Sequence, residues 1–320
     1  MSALVDISRY DDVGCPWCYS AEPVRLALET RYGDQLRWRT VQVGLHASSA
    51  AMSDGGYTPA GLADGYRVFH GRHGMPFCLA VRPRLVPTCE AARAVKAAER
   101  QGRGAALERR LRLAYFAETR LPDERGEILG LAAEAGLDTR RLAADLEDPA
   151  TEAALEADMR EAYSPDRVAR KLGKTAASRN GGDRYTTPSY VLSSGGRNIS
   201  VPGFQPLGAY EVALHNLAAG LERRRAASPV DFLLERPGEL YAAAELAAAS
   251  ELSERRALRE LEAAASAGAL ERHPAGAGEF WSAGPARVQL SCPETAHRFP
   301  AAAAGPAQTA SSTNTTEGGP

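Results

Sequence analysis

The chain has 320 residues, a formal net charge of -2 and an apolar fraction of 44 %. That balance excludes a strongly basic nucleic-acid binder and leaves room for about two domains. No apolar run approaches the roughly 20 residues of a membrane span, so no membrane partner is expected.

The opening residues, Met1 to Asp6, carry neither the basic nor the apolar region of a secretory signal. Five cysteines in so long a chain are no disulfide scaffold. A cytoplasmic protein with one catalytic dithiol and no bound cofactor or metal is the simplest expectation.

A mixed-polarity strand over about Ala3–Tyr10 leads into Cys15-Pro16-Trp17-Cys18 and a helical pattern reaching Tyr32. Cys15 falls where an N-cap belongs and Pro16 at the first helical position, where its missing N–H costs nothing. The free N–H groups and positive dipole end there favour a thiolate, so Cys15 is predicted to be the more acidic thiol and Cys18 the resolving one. Strand, CxxC, helix reads as a thioredoxin-like redox motif. The competing structural zinc site needs a second ligand pair of that spacing, which the sequence lacks. Pro23 should kink the helix near Glu22. Glu22 itself reads as part of a solvated helix face, or as a proton shuttle for Cys18.

Leu36–Leu45 alternates as a second strand. From Thr58 to about Thr175 the pattern is helical throughout, with caps or breaks at Thr58-Pro59, Thr88, Gln101-Gly102, Asp138, Pro149 and Ser164-Pro165. Strands return at Tyr185–Leu192, which contains Thr187-Pro188, and at Asn198–Val201 after a Ser194-Gly195-Gly196 turn. A helix follows from Pro206 to about Arg223. The fold class is therefore α/β: a thioredoxin fold over residues 1–226 with a large all-helical insertion at about 58–176.

Cys15-Pro16-Trp17-Cys18, the helical insertion, Thr187-Pro188 and Gly203-Phe204-Gln205-Pro206 together resemble the DsbA-like thioredoxin-superfamily oxidoreductases. The likeness is to their cytoplasmic FrnE-like branch, which is related to 2-hydroxychromene-2-carboxylate isomerases. It implies a cis Pro188 facing the dithiol and clients bound by Trp17, Thr187 and Pro188. The activity implied is thiol–disulfide exchange on protein or low-molecular-weight disulfides, with electrons from a thiol or a thioredoxin-type donor. Two rival readings remain. One is a thiol-dependent small-molecule isomerase of the chromene-carboxylate type. The other is a redox sensor with a partner-binding C-terminal module. The first strand departs from the family pattern, since Asp6, Asp11 and Asp12 are unusual in a buried strand.

Cys78 and Cys89 lie inside the insertion and read as buried cysteines, a second redox pair, or, with His70 and His73, a metal site. Cys292 reads as an incidental thiol. Residues 227–284 suggest helix, turn, helix and hairpin, similar to a winged helix, with a helix over Tyr241–Leu252. That module holds ten acids against five arginines between Pro229 and Pro285. DNA affinity rests on neutralised phosphates, so an accessory role without nucleic acid is expected. Residues 285–320 are rich in Ala, Pro, Gly, Ser and Thr and are expected to be disordered.

Overall fold

The computed structural model describes residues 4–292. The central sheet has the order β2-β1-β5-β6. Strand β1 (Val5–Asp11) runs parallel to β2 (Leu36–Gln42), and β5 (Ser189–Ser194) and β6 (Arg197–Val201) add antiparallel strands. The register pairs Val5 with Leu36 and Ile7 with Trp38. Val5 and Ile7 thereby join Leu28 and Tyr32 of α2 (Glu22–Tyr32) and Tyr210 and Leu214 of α11 (Leu207–Leu217) in one core.

Between β1 and α2 lies the five-residue α1 (Pro16–Ser20). The break falls at Ala21, with Pro23 in the first turn of α2, where no backbone donor is needed. The proline thus splits one expected helix into two.

The insertion consists of α3 (Ser49–Asp54), α4 (Pro59–His73), α5 (Cys89–Glu99), α6 (Gly104–Phe116), α7 (Arg125–Glu134), α8 (Thr139–Glu147), α9 (Pro149–Ala162) and α10 (Arg167–Lys171). A short hairpin of β3 (Thr175–Ala177) and β4 (Asp183–Tyr185) follows. The strand expected over Tyr185–Leu192 is therefore interrupted: β4 ends at Tyr185 and β5 starts at Ser189, with the Thr187–Pro188 bond, which is cis, between them.

The C-terminal region has the order α12 (Pro229–Leu234), β7 (Tyr241–Ala242), α13 (Ala243–Ala249), α14 (Glu254–Ser266), β8 (Glu271–Ala275) and β9 (Gly278–Ser282), with a separate sheet β7-β9-β8. Tyr241 and Ala242, expected in a helix, instead pair with Trp281 and Phe280. Burial explains the difference: the fully buried Phe280 and Trp281 draw a neighbouring strand over themselves.

This region does not stand apart from the thioredoxin domain. Leu26 of α2 enters its core beside Leu246, Leu261 and Trp281. The tip of the β8–β9 hairpin presses on the insertion, where Ala277 N–H bonds the Phe77 carbonyl (2.8 Å). Gly276 is required there, because its φ is +55° and a Cβ would sit 2.1 Å from the Phe77 oxygen. Val288 and Leu290 also pack against the Tyr19–Phe77–Phe116 cluster. Residues 285–292, expected to be disordered, are thus packed, and the rest of the expected disordered tail lies outside the described residues. Among the described residues no helix is long and apolar enough to cross a membrane.

Candidate active site

The loop between β1 and α1 is fixed by a buried acid. Asp12 is fully buried and accepts from Gly14 N–H (2.9 Å), Leu45 N–H (2.7 Å) and the Thr88 hydroxyl (3.0 Å). Gly14 is pressed so closely that a Cβ would lie 2.5 Å from Thr88 and 3.0 Å from Tyr115. These contacts hold Cys15, whose N–H bonds the Asp12 carbonyl (3.1 Å), at the start of α1.

Cys15 and Cys18 are both free thiols, 3 % and 2 % exposed. The Thr187 hydroxyl donates to the Cys15 sulfur at 3.1 Å, and the Cys15 thiol lies 3.5 Å from the Thr187 carbonyl oxygen. Two loops distant in sequence are so joined. Ser189 reinforces the junction, donating to the Thr186 carbonyl (2.5 Å) and accepting from Gly203 N–H (2.9 Å).

The two thiols are driven apart in acidity. Burial alone would push Cys15 up, but hydrogen bonds from the Cys18 thiol, the Thr187 hydroxyl and the Cys18 backbone N–H bring it below an ordinary thiol. Burial pushes Cys18 well up, aided by its donation to Cys15 and by the Asp11 charge. Cys15 is thus the more acidic of the two thiols and Cys18 the one that keeps its proton.

Trp17 is 40 % exposed and stands edge-on to Phe69 (4.8 Å between ring centroids), beside Phe204 (5.4 Å) and His73 (5.6 Å). The Trp17, Phe69 and Phe204 rings wall a cleft of about 770 Å³ that is also lined by Cys15 and Thr187. The volume lies within the usual range for ligand clefts.

Beneath the dithiol lies a buried charge network. The Glu22 carboxylate contacts Arg9 (3.6 Å), Arg25 (2.7 Å), Arg109 (3.5 Å) and Arg112. Arg112 also reaches Asp11 (2.7 Å) and Glu108 (3.1 Å), and Arg9 reaches Asp11 (3.1 Å) and Glu108 (2.5 Å). Glu22 is therefore no solvated face: it is 2 % exposed. Burial would raise its pKa, yet the charges of Arg25, Arg112, Arg9 and Arg109 hold it well below the usual carboxylate range. The same network accounts for the polar first strand, since Asp11 is neutralised by two arginines and Asp12 clamps the loop.

Cys78 and Cys89 form no pair. Cys78 is in a disulfide with Cys292, across 214 residues of sequence, so Cys292 is not incidental. Cys89 is a free thiol near Arg179 (3.1 Å), pushed up to about 11 by burial. The imagined metal set also fails to assemble. His70 Nδ1 meets the Met75 carbonyl oxygen (2.9 Å), His73 stands against Trp17, and Cys78 is oxidised. Among the described residues no group of three or more His, Cys, Asp or Glu side chains could hold a metal ion.

The sequence reading missed the clamping role of Asp12, the buried Arg112 and, apart from Trp17, the cleft wall. An available signal was the Glu108-Arg109-Arg110-Leu111-Arg112 run inside a helix that is apolar on several sides.

A family model for the DSBA-like thioredoxin domain matches residues 6–166, and the chain belongs to that family. Two curated relatives are similar over nearly the whole length. The ClpXP adapter protein SpxH of Shouchella clausii is 26 % identical over 287 residues, covering 87 % of this chain and 88 % of that one. Its namesake in Bacillus subtilis is 26 % identical over 284 residues with the same coverages. Among solved structures, a proposed protein disulfide isomerase of Nitrosomonas europaea shares the fold. Its TM-score is 0.51 at 15 % identity, covering 66 % of this chain and 96 % of that one.

Proposed function

We propose that the protein is a cytoplasmic thiol–disulfide oxidoreductase working through Cys15 and Cys18. The contact of the Cys15 sulfur with Thr187, with the split in thiol acidity, carries this reading. The Cys15 thiolate attacks one sulfur of a client disulfide. The client S–S bond breaks, its second sulfur leaves as a thiolate and takes a proton, and a Cys15–client mixed disulfide remains. Cys18 then loses its proton and attacks the Cys15 sulfur, releasing the client as a second thiol and leaving Cys15–Cys18 oxidised. Two electrons have passed from the dithiol to the client. A low-molecular-weight thiol or thioredoxin-type donor restores the dithiol, and no bound cofactor takes part.

Trp17, Thr187 and Pro188 hold the client in this reading, with the Thr187 backbone pairing an extended segment by β-augmentation. In the cytoplasm the Cys78–Cys292 bond is sheltered from thiols by burial, its sulfur-bearing residues being 3 % and 4 % exposed. We read residues 227–284 as a winged-helix-like accessory module.

The test compares Cys15→Ser and Cys18→Ala proteins against a model disulfide on non-reducing gels. Cys15→Ser should not react, and Cys18→Ala should stall as a covalent complex. Reaction of Cys15→Ser would end this assignment.

A second reading is an adapter that delivers a protein client to a protease. The relatives favour it, because their similarity is long enough to run through the C-terminal module. Unimpaired acceleration of ClpXP degradation of a client by a Cys15→Ser/Cys18→Ser protein would make it the primary function.

A further inference from the structure

Resting on the oxidoreductase reading, we infer that Lys174 and Arg184 select clients whose half-cystine is flanked by a carboxylate. The cleft at Cys15 has two unlike walls. One is the aromatic wall of Trp17, Phe69 and Phe204. The other carries His46, Lys174 and Arg184, and among the described residues no Asp or Glu lines the cleft. Across the whole chain acids outnumber lysine and arginine, 40 to 38. A solely basic wall is therefore not the chain's average surface.

Both cations are left available by their surroundings. Among the described residues neither has a carboxylate partner, whereas their neighbour Arg170 pairs with Asp183. Arg184 spends one N–H on the Tyr185 carbonyl (2.9 Å). The Lys174 stem lies along Gly203, where a Cβ would meet its Cδ at 2.9 Å. Its position relative to the thiol is fixed by its own backbone. The Lys174 carbonyl accepts from the Thr186 N–H (3.1 Å) and hydroxyl (3.2 Å), one residue from the Thr187 that touches Cys15. The positive charge extends along this wall: His46 has its pKa lowered first by burial and then by Arg184 and by Arg179 behind it.

A client with a carboxylate beside its cystine meets repulsion from the Cys15 thiolate, and Lys174 and Arg184 offset it. An apolar neighbour on the other side of the cystine meets the aromatic wall. Basic clients are repelled by Lys174 and Arg184. Charge focusing in a cleft of this kind raises encounter rates by about tenfold or more and weakens with salt.

The experiment uses the full-length reduced protein and three synthetic peptide disulfides, identical except for Glu, Gln or Lys beside the attacked half-cystine. The expected second-order rate constant for this single exchange falls in the order Glu, Gln, Lys, spanning about tenfold at low salt and narrowing at high salt. K174Q/R184Q protein should lower the rate for the Glu peptide most, flattening the series. K171Q, outside the cleft and on an exposed position, should keep the order. Equal rates for the three peptides, or an undiminished order in K174Q/R184Q, would overturn the inference and leave the oxidoreductase reading intact. If none of the peptides is reduced, the oxidoreductase reading falls and this inference with it.

Discussion

Glu22 is the carboxylate on which four arginines converge, so its removal is the most informative single change to the scaffold. Glu22→Gln keeps the volume and removes the charge. Arg25 retains Glu29 (2.5 Å), Arg109 retains Glu245 (2.8 Å), and Arg9 and Arg112 are left to share Asp11 and Glu108. Four cations then face four acids where they faced five, in a site whose inner members are almost fully buried. Removing one partner of a buried ionic cluster costs about 3–5 kcal/mol, because the charges left behind stay desolvated. For a chain of this size that corresponds to a fall in Tm of roughly 5–8 °C. The measurement is urea denaturation of wild type and Glu22→Gln across a pH series. The folded-state pKa of Glu22 is depressed, so the wild-type advantage is fully present above the ordinary carboxyl value of about 4.3. It shrinks as pH falls toward the depressed folded value. A difference below about 1 kcal/mol at neutral pH, or one that grows on acidification, would refute the reasoning.

Further outcomes follow from other contacts. Thr187→Val removes a hydroxyl that donates to the Cys15 sulfur; the Cys15 pKa should rise by about 1–2 units, read from the pH dependence of its alkylation rate. An unmoved titration would mean the contact does not act on the thiolate. Cys292→Ser opens the disulfide that closes 214 residues. Chain entropy sets the loss of stability at up to about 5 kcal/mol, and Cys78→Ser should lose the same amount in urea titration. The 227–284 module, with twice as many acids as arginines, should leave labelled duplex DNA unbound in anisotropy at physiological salt. Submicromolar binding would contradict that charge argument.

Several parts of this molecule were legible because they are local. Cys15-Pro16-Trp17-Cys18 announces a dithiol within four residues, and the proline and cap residues mark most helix starts within a few positions. Thr187-Pro188 was legible as the partner of the dithiol through the family likeness, although its interruption of the strand was not. What escaped depends on distant partners. The arginines of α6 look solvated in sequence and become a buried lattice only when Asp11 and Glu22 arrive from β1 and α2. A two-residue strand such as Tyr241–Ala242 has no pattern of its own and exists because Phe280 and Trp281 lie beside it. The partner of Cys78 could not be read from spacing: Cys89 is near in sequence, yet Cys292 is the one brought to it. The cleft's basic wall was missed because its residues come from a hairpin and a loop that carry no motif.

The Cys78–Cys292 bond has a consequence for synthesis of the chain. At about 5–20 residues per second, roughly 10–40 s pass between the making of the two cysteines. Throughout that interval the thioredoxin sheet can close, since its last strand ends at Val201. The face around Phe77 and Phe116, however, has neither the β8–β9 hairpin nor Val288 and Leu290 over it. A nascent chain, or one cut near residue 226, therefore presents an uncovered aromatic surface together with an unpaired Cys78 thiol. The boundary that composition draws at 226 separates two stretches of sequence, while the packing binds them into one late-sealed body.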